Sequence, residues 1–397
     1  MKRILSVVSF LAAACLVMPA FAADTIKVGM PMVLSGGGAL FGKPTAQGGE
    51  LYVKQINDAG GVLGKKIELI VRDCGNSQEE AVRTAQEMIL KQNIQFMVGG
   101  FTATQGLALS ELAKQEKILY IAPISKAKEL TDAAHLHPYV FRGYCSTEVE
   151  GKTGAQAAKK WAKTPIKRVA TISPDYAYGQ ETTAAFIDQI KKELPGVEIV
   201  HQGWPKLGES DYAPYITALV ASKPDTIFTA LWGGHFVTFG KQAAPFGVFK
   251  NSLIIAAGEG GSPETGRSLM DELPDGMISD SYDQHYYPDT PEHKAYFKAL
   301  EDFTGEKNGS SFASGGYIAM QFLVEAIKKA GTTDTDKVIK ALEGIEINSP
   351  IGKLSMRAKD HQSTRGPFWG VVSRDKNIAP YPIMIPIEFF SSSSVLD

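Results

Sequence analysis

The 397-residue sequence has few cysteines, three in all, and no excess of either charge: 41 Lys+Arg stand against 43 Asp+Glu. That balance excludes a nucleic-acid-binding protein of the usual basic kind. Beyond the first 22 residues no apolar run approaches the roughly 20 residues that a membrane-crossing helix needs. The sequence also has no HExxH, no CxxC and no GxSxG, so it signals neither a zinc hydrolase nor an α/β-hydrolase. No metal, no cofactor and no catalytic residue is expected.

What is present begins with an export signature. Lys2 and Arg3 precede an apolar run, Ile4 to Val17, and Ala20-Phe21-Ala22 forms an A-x-A cleavage site. The reading is a signal peptide over 1–22, a mature start at Ala23 and a periplasmic protein. Lipidation at Cys15 is an alternative, opposed by the lack of Leu three places before that Cys. Without the leader 375 residues remain, with 39 basic against 43 acidic side chains, which is enough for two domains. Cys74 and Cys145 also remain. An even count in an exported chain permits a disulfide, and both follow predicted strands of the same half; their Cα separation decides it.

Met97 to Gly106, MVGGFTATQG, joins an apolar strand pattern (Ile94 to Val98) to a helical one (Leu107, Leu109, Leu112, Ala113). In an open α/β sheet such a junction lies at the carboxyl edge, where ligands bind. Thr102 and Thr104 offer hydroxyls beside a helix N-terminus, which suits a carboxylate; the plainer alternative is that one of them only caps the helix. The same rhythm runs along the chain. Strands are read at Thr25–Met32, Ile67–Val71, Ile118–Ala122 and Tyr139–Arg142, with a glycine-rich loop at Ser35–Gly42 and a helix marked by Leu51, Ile56 and Ala59. Further strands are read at Val169–Ser173, Val197–Val200, Thr226–Leu231 and Leu253–Ala257. The βαβ period predicts parallel sheets covered by helices on both faces.

Five pieces recur in order: IN-x-AGGV-x-G-x-x-I-x-L-x-x-x-D (Ile56 to Asp73), VGGFTATQ, IAP-x-S followed by KELT, VFR, and SPDYAYGQ (Ser173 to Gln180). Together they resemble the periplasmic substrate-binding proteins of branched-chain amino acid type ABC transporters, the leucine/isoleucine/valine-binding protein family. The resemblance spans essentially the whole mature chain. It implies a type I periplasmic binding protein fold: two Rossmann-like α/β lobes, mostly parallel sheets, and a three-segment hinge. The expected lobes are 23–144 plus about 280–350, and 145–279 plus about 351–390. The chain is expected to return to the first lobe near Ile278 to Asp283 and to cross back at Ile351–Leu354. Residues 391–397 read as a disordered tail.

The resemblance also implies a site. Thr102, Ala103 and Thr104, with Ile124, Ser125 and Lys126, occupy the positions that grip a ligand carboxylate. Lys126 stands where a Thr is usual, and its side chain is expected in solvent. Tyr178 is placed to close over the ligand, Glu259 to take an α-ammonium, Trp232 and His235 to line the side-chain pocket, and Phe41 to cover it. Asp283 to Tyr287 reads as hinge surface and His293 as an exposed helix residue. The implied function is a monomeric receptor that hands a small amino acid, branched-chain or related, to a membrane ABC permease. Alternatives are a receptor for an aromatic or aliphatic carboxylic acid, or a periplasmic enzyme on the same scaffold.

Overall fold

Buried Ile, Val and Met runs set the first sheet. Ile26, Val28, Met30 and Met32 of strand β1 (Ile26–Met32) are fully buried, as a strand covered on both faces requires. The computed structural model describes residues 25–397, so the leader and its cleavage site lie outside the described residues. After β1 come α1 (Ala39–Asp58), β2 (Ile67–Asp73), α2 (Gln78–Gln92), β3 (Phe96–Val98), α3 (Ala103–Glu116), β4 (Leu119–Ala122) and β5 (Val140–Arg142). The five strands are parallel in the order β2-β1-β3-β4-β5.

The chain then builds a second sheet. It runs α4 (Thr147–Trp161), β6 (Arg168–Ile172), α5 (Ala177–Glu193), β7 (Glu198–Gly203), α6 (Ala213–Ala221), β8 (Thr226–Thr229), α7 (Gly233–Ala243), α8 (Val248–Asn251), β9 (Leu253–Ala256), α9 (Pro263–Leu269) and β10 (Ile278–Ser281). Next are α10 (Pro291–Thr304), α11 (Ala313–Ala330), α12 (Thr335–Leu342), β11 (Glu346–Ser349), β12 (Gly352–Ser355), β13 (Phe368–Ser373), β14 (Ile383–Phe389) and α13 (Ser393–Leu396). The second sheet has the order β14-β13-β10-β9-β8-β6-β7, with β13 antiparallel to both its neighbours. In the first sheet the order reverses between β1 and β3, and in the second between β6 and β8. Both reversals open a crevice at the strands' carboxyl ends, and the two crevices face each other.

The sheets are joined by three passages, which are laced together. Ser363 donates from its amide to Arg142 O and from its hydroxyl to Gly143 O, each at 2.9 Å. Arg365, fully buried, donates to Ser314 O (3.0 Å), Ser314 Oγ (2.7 Å) and Tyr282 O (3.4 Å). Tyr144 and Tyr282, from two different passages, stack with centroids 3.9 Å apart.

Several expectations are corrected here. The Ser35–Gly42 stretch is not a loop throughout, because a short 3₁₀ turn at Gly36–Gly38 leads into α1, which carries Pro44 within its early turns. The second passage begins only after Ser281, since β10 pairs with β9 and β13. Ile351–Leu354 does not cross back: β12 pairs with β11 in a separate ribbon, and the chain regains the second sheet at β13. The 391–397 tail is ordered. Ser392 donates to Arg365 O at 2.7 Å, and Asp397 pairs with Arg357 and Lys359. Asp283 and His293 are not surface residues; both are fully buried, 2.8 Å apart. Finally, Cys74 and Cys145 are free and buried. They follow β2 and β5, the opposite edges of a five-stranded sheet, so four strand spacings of about 4.8 Å separate them, beyond disulfide reach.

Helices α1 and α11 pack against each other through glycine. A Cβ on Gly48 would overlap the carbonyl of Ala313, and one on Gly316 would overlap that of Thr45. Gly316→Ala is therefore expected to destabilise by about 1–3 kcal/mol. The measurement is a urea midpoint; a midpoint equal to the parent's would mean that the two backbones separate at little cost.

Candidate ligand-binding site

The facing crevices form one cleft of about 500 Å³ not filled by protein atoms. Four of its walls are strand-end loops. Phe101, Thr102 and Ala103 follow β3; Ile124 and Lys126 follow β4; Trp232 follows β8; Gly258 and Glu259 follow β9. Tyr176 and Tyr178 come from the start of α5, Phe41 from α1, Tyr282 from the second passage and Phe312 from the cap of α11.

Aromatic rings dominate one end. Phe41 lies 4.5 Å from Phe312, 6.0 Å from Trp232 and 6.1 Å from Phe101, centroid to centroid. Phe41 and Trp232 meet across the cleft. Gly233 has φ +52°, and a Cβ there would strike the Phe41 ring, so the contact requires glycine. The Trp232 indole donates to Tyr176 Oη at 3.0 Å, which fixes its ring plane.

At the first lobe, Thr102 is the N-cap of α3. Its hydroxyl accepts from Gln105 N (3.2 Å), and the Gln105 side chain accepts in return from Thr102 N at 3.4 Å. The cap reading and the site reading both hold, because Thr102 also lines the cleft. Beside it the first N–H groups of α3, at Ala103 and Thr104, have no intrahelical acceptor. They and the helix dipole suit an anion.

The other end is charged. Lys126 is not in solvent. Its side chain is 8% exposed, and its ammonium lies 2.7 Å from Glu150 Oε1 and 2.6 Å from Glu259 Oε1. Snorkelling fails because Lys126 follows the interior strand β4 and points across the cleft at α4 and the β9 loop. Burial works against the ammonium, but Glu150 and Glu259 outweigh it and hold the Lys126 pKa well above the lysine value. Three rings surround it: Tyr282 at 4.9 Å, Tyr144 at 5.1 Å and Tyr178 at 5.7 Å. Such contacts stabilise a cation further.

Glu259 has φ +64° directly after Gly258 at φ +78°. This left-handed turn costs a non-glycine residue roughly 1 kcal/mol or more and turns the carboxylate inward. Its amide donates to Asp280 Oδ1 at 2.8 Å. Burial raises the Glu259 pKa to about 7, with Lys126 opposing. Asp280 is pushed well above the carboxylate range by burial, then by Glu259 and Glu150. Its Oδ2 and Glu150 Oε2 are buried without a hydrogen-bond partner among the described residues. Glu150, Glu259 and Asp280 are close enough to hold a metal ion, but the Lys126 ammonium already stands among them.

Of the residues proposed from sequence, Phe41, Thr102, Ala103, Ile124, Lys126, Tyr178, Trp232 and Glu259 line the cleft. Three do not. Thr104 is exposed and shares a hydrogen with Thr102 Oγ1 at 3.0 Å. Ser125 is fully buried behind the loop and donates to Thr102 O at 3.0 Å, so it shapes the loop rather than touching a ligand. His235 turns outward to accept from Gly208 N (3.4 Å) and meet Tyr212 Oη (3.3 Å). Sequence reasoning missed Phe101, Tyr176, Tyr282 and Phe312 as site residues. Phe101 and Tyr176 sat within the recognised loops; Tyr282 and Phe312 had no local signal.

Two α/β lobes facing each other across a cleft, with the start of a helix on its wall, are the architecture of a two-lobed solute receptor. The chain belongs to the periplasmic binding protein family, whose model matches residues 25–376. Among similar proteins, the Leu/Ile/Val-binding protein homolog 7 of Brucella abortus is 26% identical over 378 residues, covering 91% of this chain and 92% of that protein. An ABC transporter solute-binding protein from Rhodopseudomonas palustris, solved with 3,4-dihydroxybenzoic acid, is 27% identical with a TM-score of 0.80, covering 92% and 97%. The Brucella ovis leucine-, isoleucine-, valine-, threonine- and alanine-binding protein, solved closed, has a TM-score of 0.82 at 22% identity, covering 94% and 97%. The family and these relatives are transport binding proteins, not enzymes.

The Glu259 shift sets a pH dependence. Unfolded, the carboxyl titrates near 4.5; folded, near 7. Between these values the folded state holds the extra proton, so this group's contribution to stability is complete below 4.5 and is lost as pH rises through about 7. The unliganded melting temperature is expected to fall between about pH 5 and 7.5, and Glu259→Gln to flatten that fall. Equal slopes in both proteins would assign the effect to other groups.

Proposed function

We propose that the protein is a periplasmic receptor that captures a small carboxylic acid with an aromatic or otherwise apolar body and delivers it to the permease of an ABC transporter. The carrying observation is that the cleft's acidic end already holds an ammonium, that of Lys126. A ligand therefore needs no ammonium of its own. Its carboxylate is satisfied by the Thr102 hydroxyl and the Ala103 amide at the helix end. Its body lies among Phe41, Phe101, Trp232 and Phe312, and a ring hydroxyl would meet the Glu259 carboxylate. The dihydroxybenzoate found in the R. palustris relative supports this chemistry. Residues 1–22 serve, in this reading, as the export signal, and the mature protein acts as a monomer without covalent chemistry.

A second reading is an α-amino acid, branched-chain or related. It is favoured by the charge count, since Glu150 and Glu259 face a single lysine, and by the Brucella abortus relative's name. Isothermal titration with benzoate, 4-hydroxybenzoate, L-leucine and L-phenylalanine separates the two. The expected result is an aromatic acid binding at about 8 kcal/mol, in the micromolar range, and amino acids at least tenfold more weakly. Leucine binding as tightly as either acid would replace the first reading with the second. Trp232→Ala is expected to weaken the bound ligand by about 2 kcal/mol, roughly 30-fold, through lost ring contact. Unchanged affinity would place the ligand elsewhere in the cleft.

A further inference from the structure

The surroundings of the Lys126 ammonium form a complete receptor for a primary ammonium ion. Two carboxylate oxygens, from Glu150 and Glu259, lie at 2.7 and 2.6 Å, and three tyrosine rings lie at 4.9 to 5.7 Å. An ammonium has three hydrogens to place, and two are spent on these carboxylates. The acids are anchored independently of the lysine: Glu150 is seated in α4 and accepts from Gly258 N at 3.3 Å, and the Glu259 backbone is tied to Asp280. The cage therefore belongs to the second lobe and the passages, while the cation arrives on a loop of the first lobe.

We propose that Lys126 is the specificity-determining residue of this cleft: its side chain fills a preformed ammonium subsite and so excludes ligands that carry an ammonium of their own. The exclusion rests on the carboxylic-acid reading above, whereas the cage does not. A second ammonium beside Lys126 would share Glu259 with a like charge in a buried site, where like charges repel strongly. Without Lys126 three acids would face each other with no cation, and burial makes that arrangement costly unless protons or a free ammonium enter.

Truncation tests both halves. Lys126→Ala removes three methylenes and the ammonium, the outline of n-propylammonium. Propylammonium chloride is expected to raise the melting temperature of Lys126→Ala by several degrees more than equal sodium chloride or n-propanol, and to leave the wild type unmoved. Lys126→Gln is one bond shorter but keeps hydrogen-bond donors without the charge; it is expected to fold and to ignore propylammonium. If Lys126→Ala folds only when refolded with propylammonium, the cage is supported; if it fails even then while Lys126→Gln folds, or folds and shows no rescue, the cage is overturned. This arm contains no ligand, so it reads the cage whatever the receptor carries. In the second arm, L-leucine and L-phenylalanine are titrated against both proteins beside 4-hydroxybenzoate. The ratio of amino-acid to acid affinity is expected to rise at least tenfold in Lys126→Ala. Rescue by propylammonium with an unchanged ratio would overturn Lys126 as the specificity determinant. Failure of benzoate and 4-hydroxybenzoate to bind the wild type would overturn the carboxylic-acid reading alone.

Discussion

Three charged side chains, one from each of three strand-end or helix-start positions, meet buried between the lobes. Removing an ion pair from water costs several kcal/mol per ion unless the geometry is close and the remaining valences are met. Here the Lys126 ammonium satisfies two carboxylates at once, and the aromatic cage covers what is left. Because the lysine comes from one sheet and the glutamates from the other side of the cleft, this ion cluster can form only when the lobes are together. Glu264 adds a second clasp of the same kind. It sits on α9 and accepts from Ser310 Oγ, Ser311 N and Ser311 Oγ at 2.5 to 3.1 Å, just before α11.

The passages between the lobes are bound closely to one another. Backbone bonds tie Arg142 to His361 and Ser363, and the Arg365 guanidinium spans Ser314 and Tyr282 while lying 4.9 Å from the Tyr144 ring. The three passages are therefore tied to one another by hydrogen bonds and ring contacts. Phe41 and Trp232, from opposite lobes, meet at the aromatic end of the cleft.

Much of this was legible in the sequence because it is local. The βαβ period, the Thr102 cap and the glycine turns before Thr102 and Glu259 are written in neighbouring residues, and they place the loops of both crevices. The environment of Lys126 was not legible. Its partners lie 24 and 133 residues away, and a lysine in a loop is ordinarily solvated. The same reason hides the Asp283–His293 pair and the anchoring of the tail through Ser392 and Arg365, since each depends on segments brought together only by the fold. The Cys74–Cys145 pairing failed for a topological reason: both cysteines follow strands of one sheet, but strand order, which sequence does not state, puts those strands at its two edges.

The two cysteines have a practical side. Each is buried, and burial pushes the Cys74 thiol up to about 12 and the Cys145 thiol well above its ordinary value, so neither offers a thiolate to an alkylating dye. The described fold holds both as free thiols. A cysteine introduced on the rim of the cleft would thus be chemically distinct from both native thiols. That makes the molecule a ready scaffold for a site-labelled fluorescent reporter, in which a change at the cleft rim is converted into an optical signal without first engineering the native cysteines away.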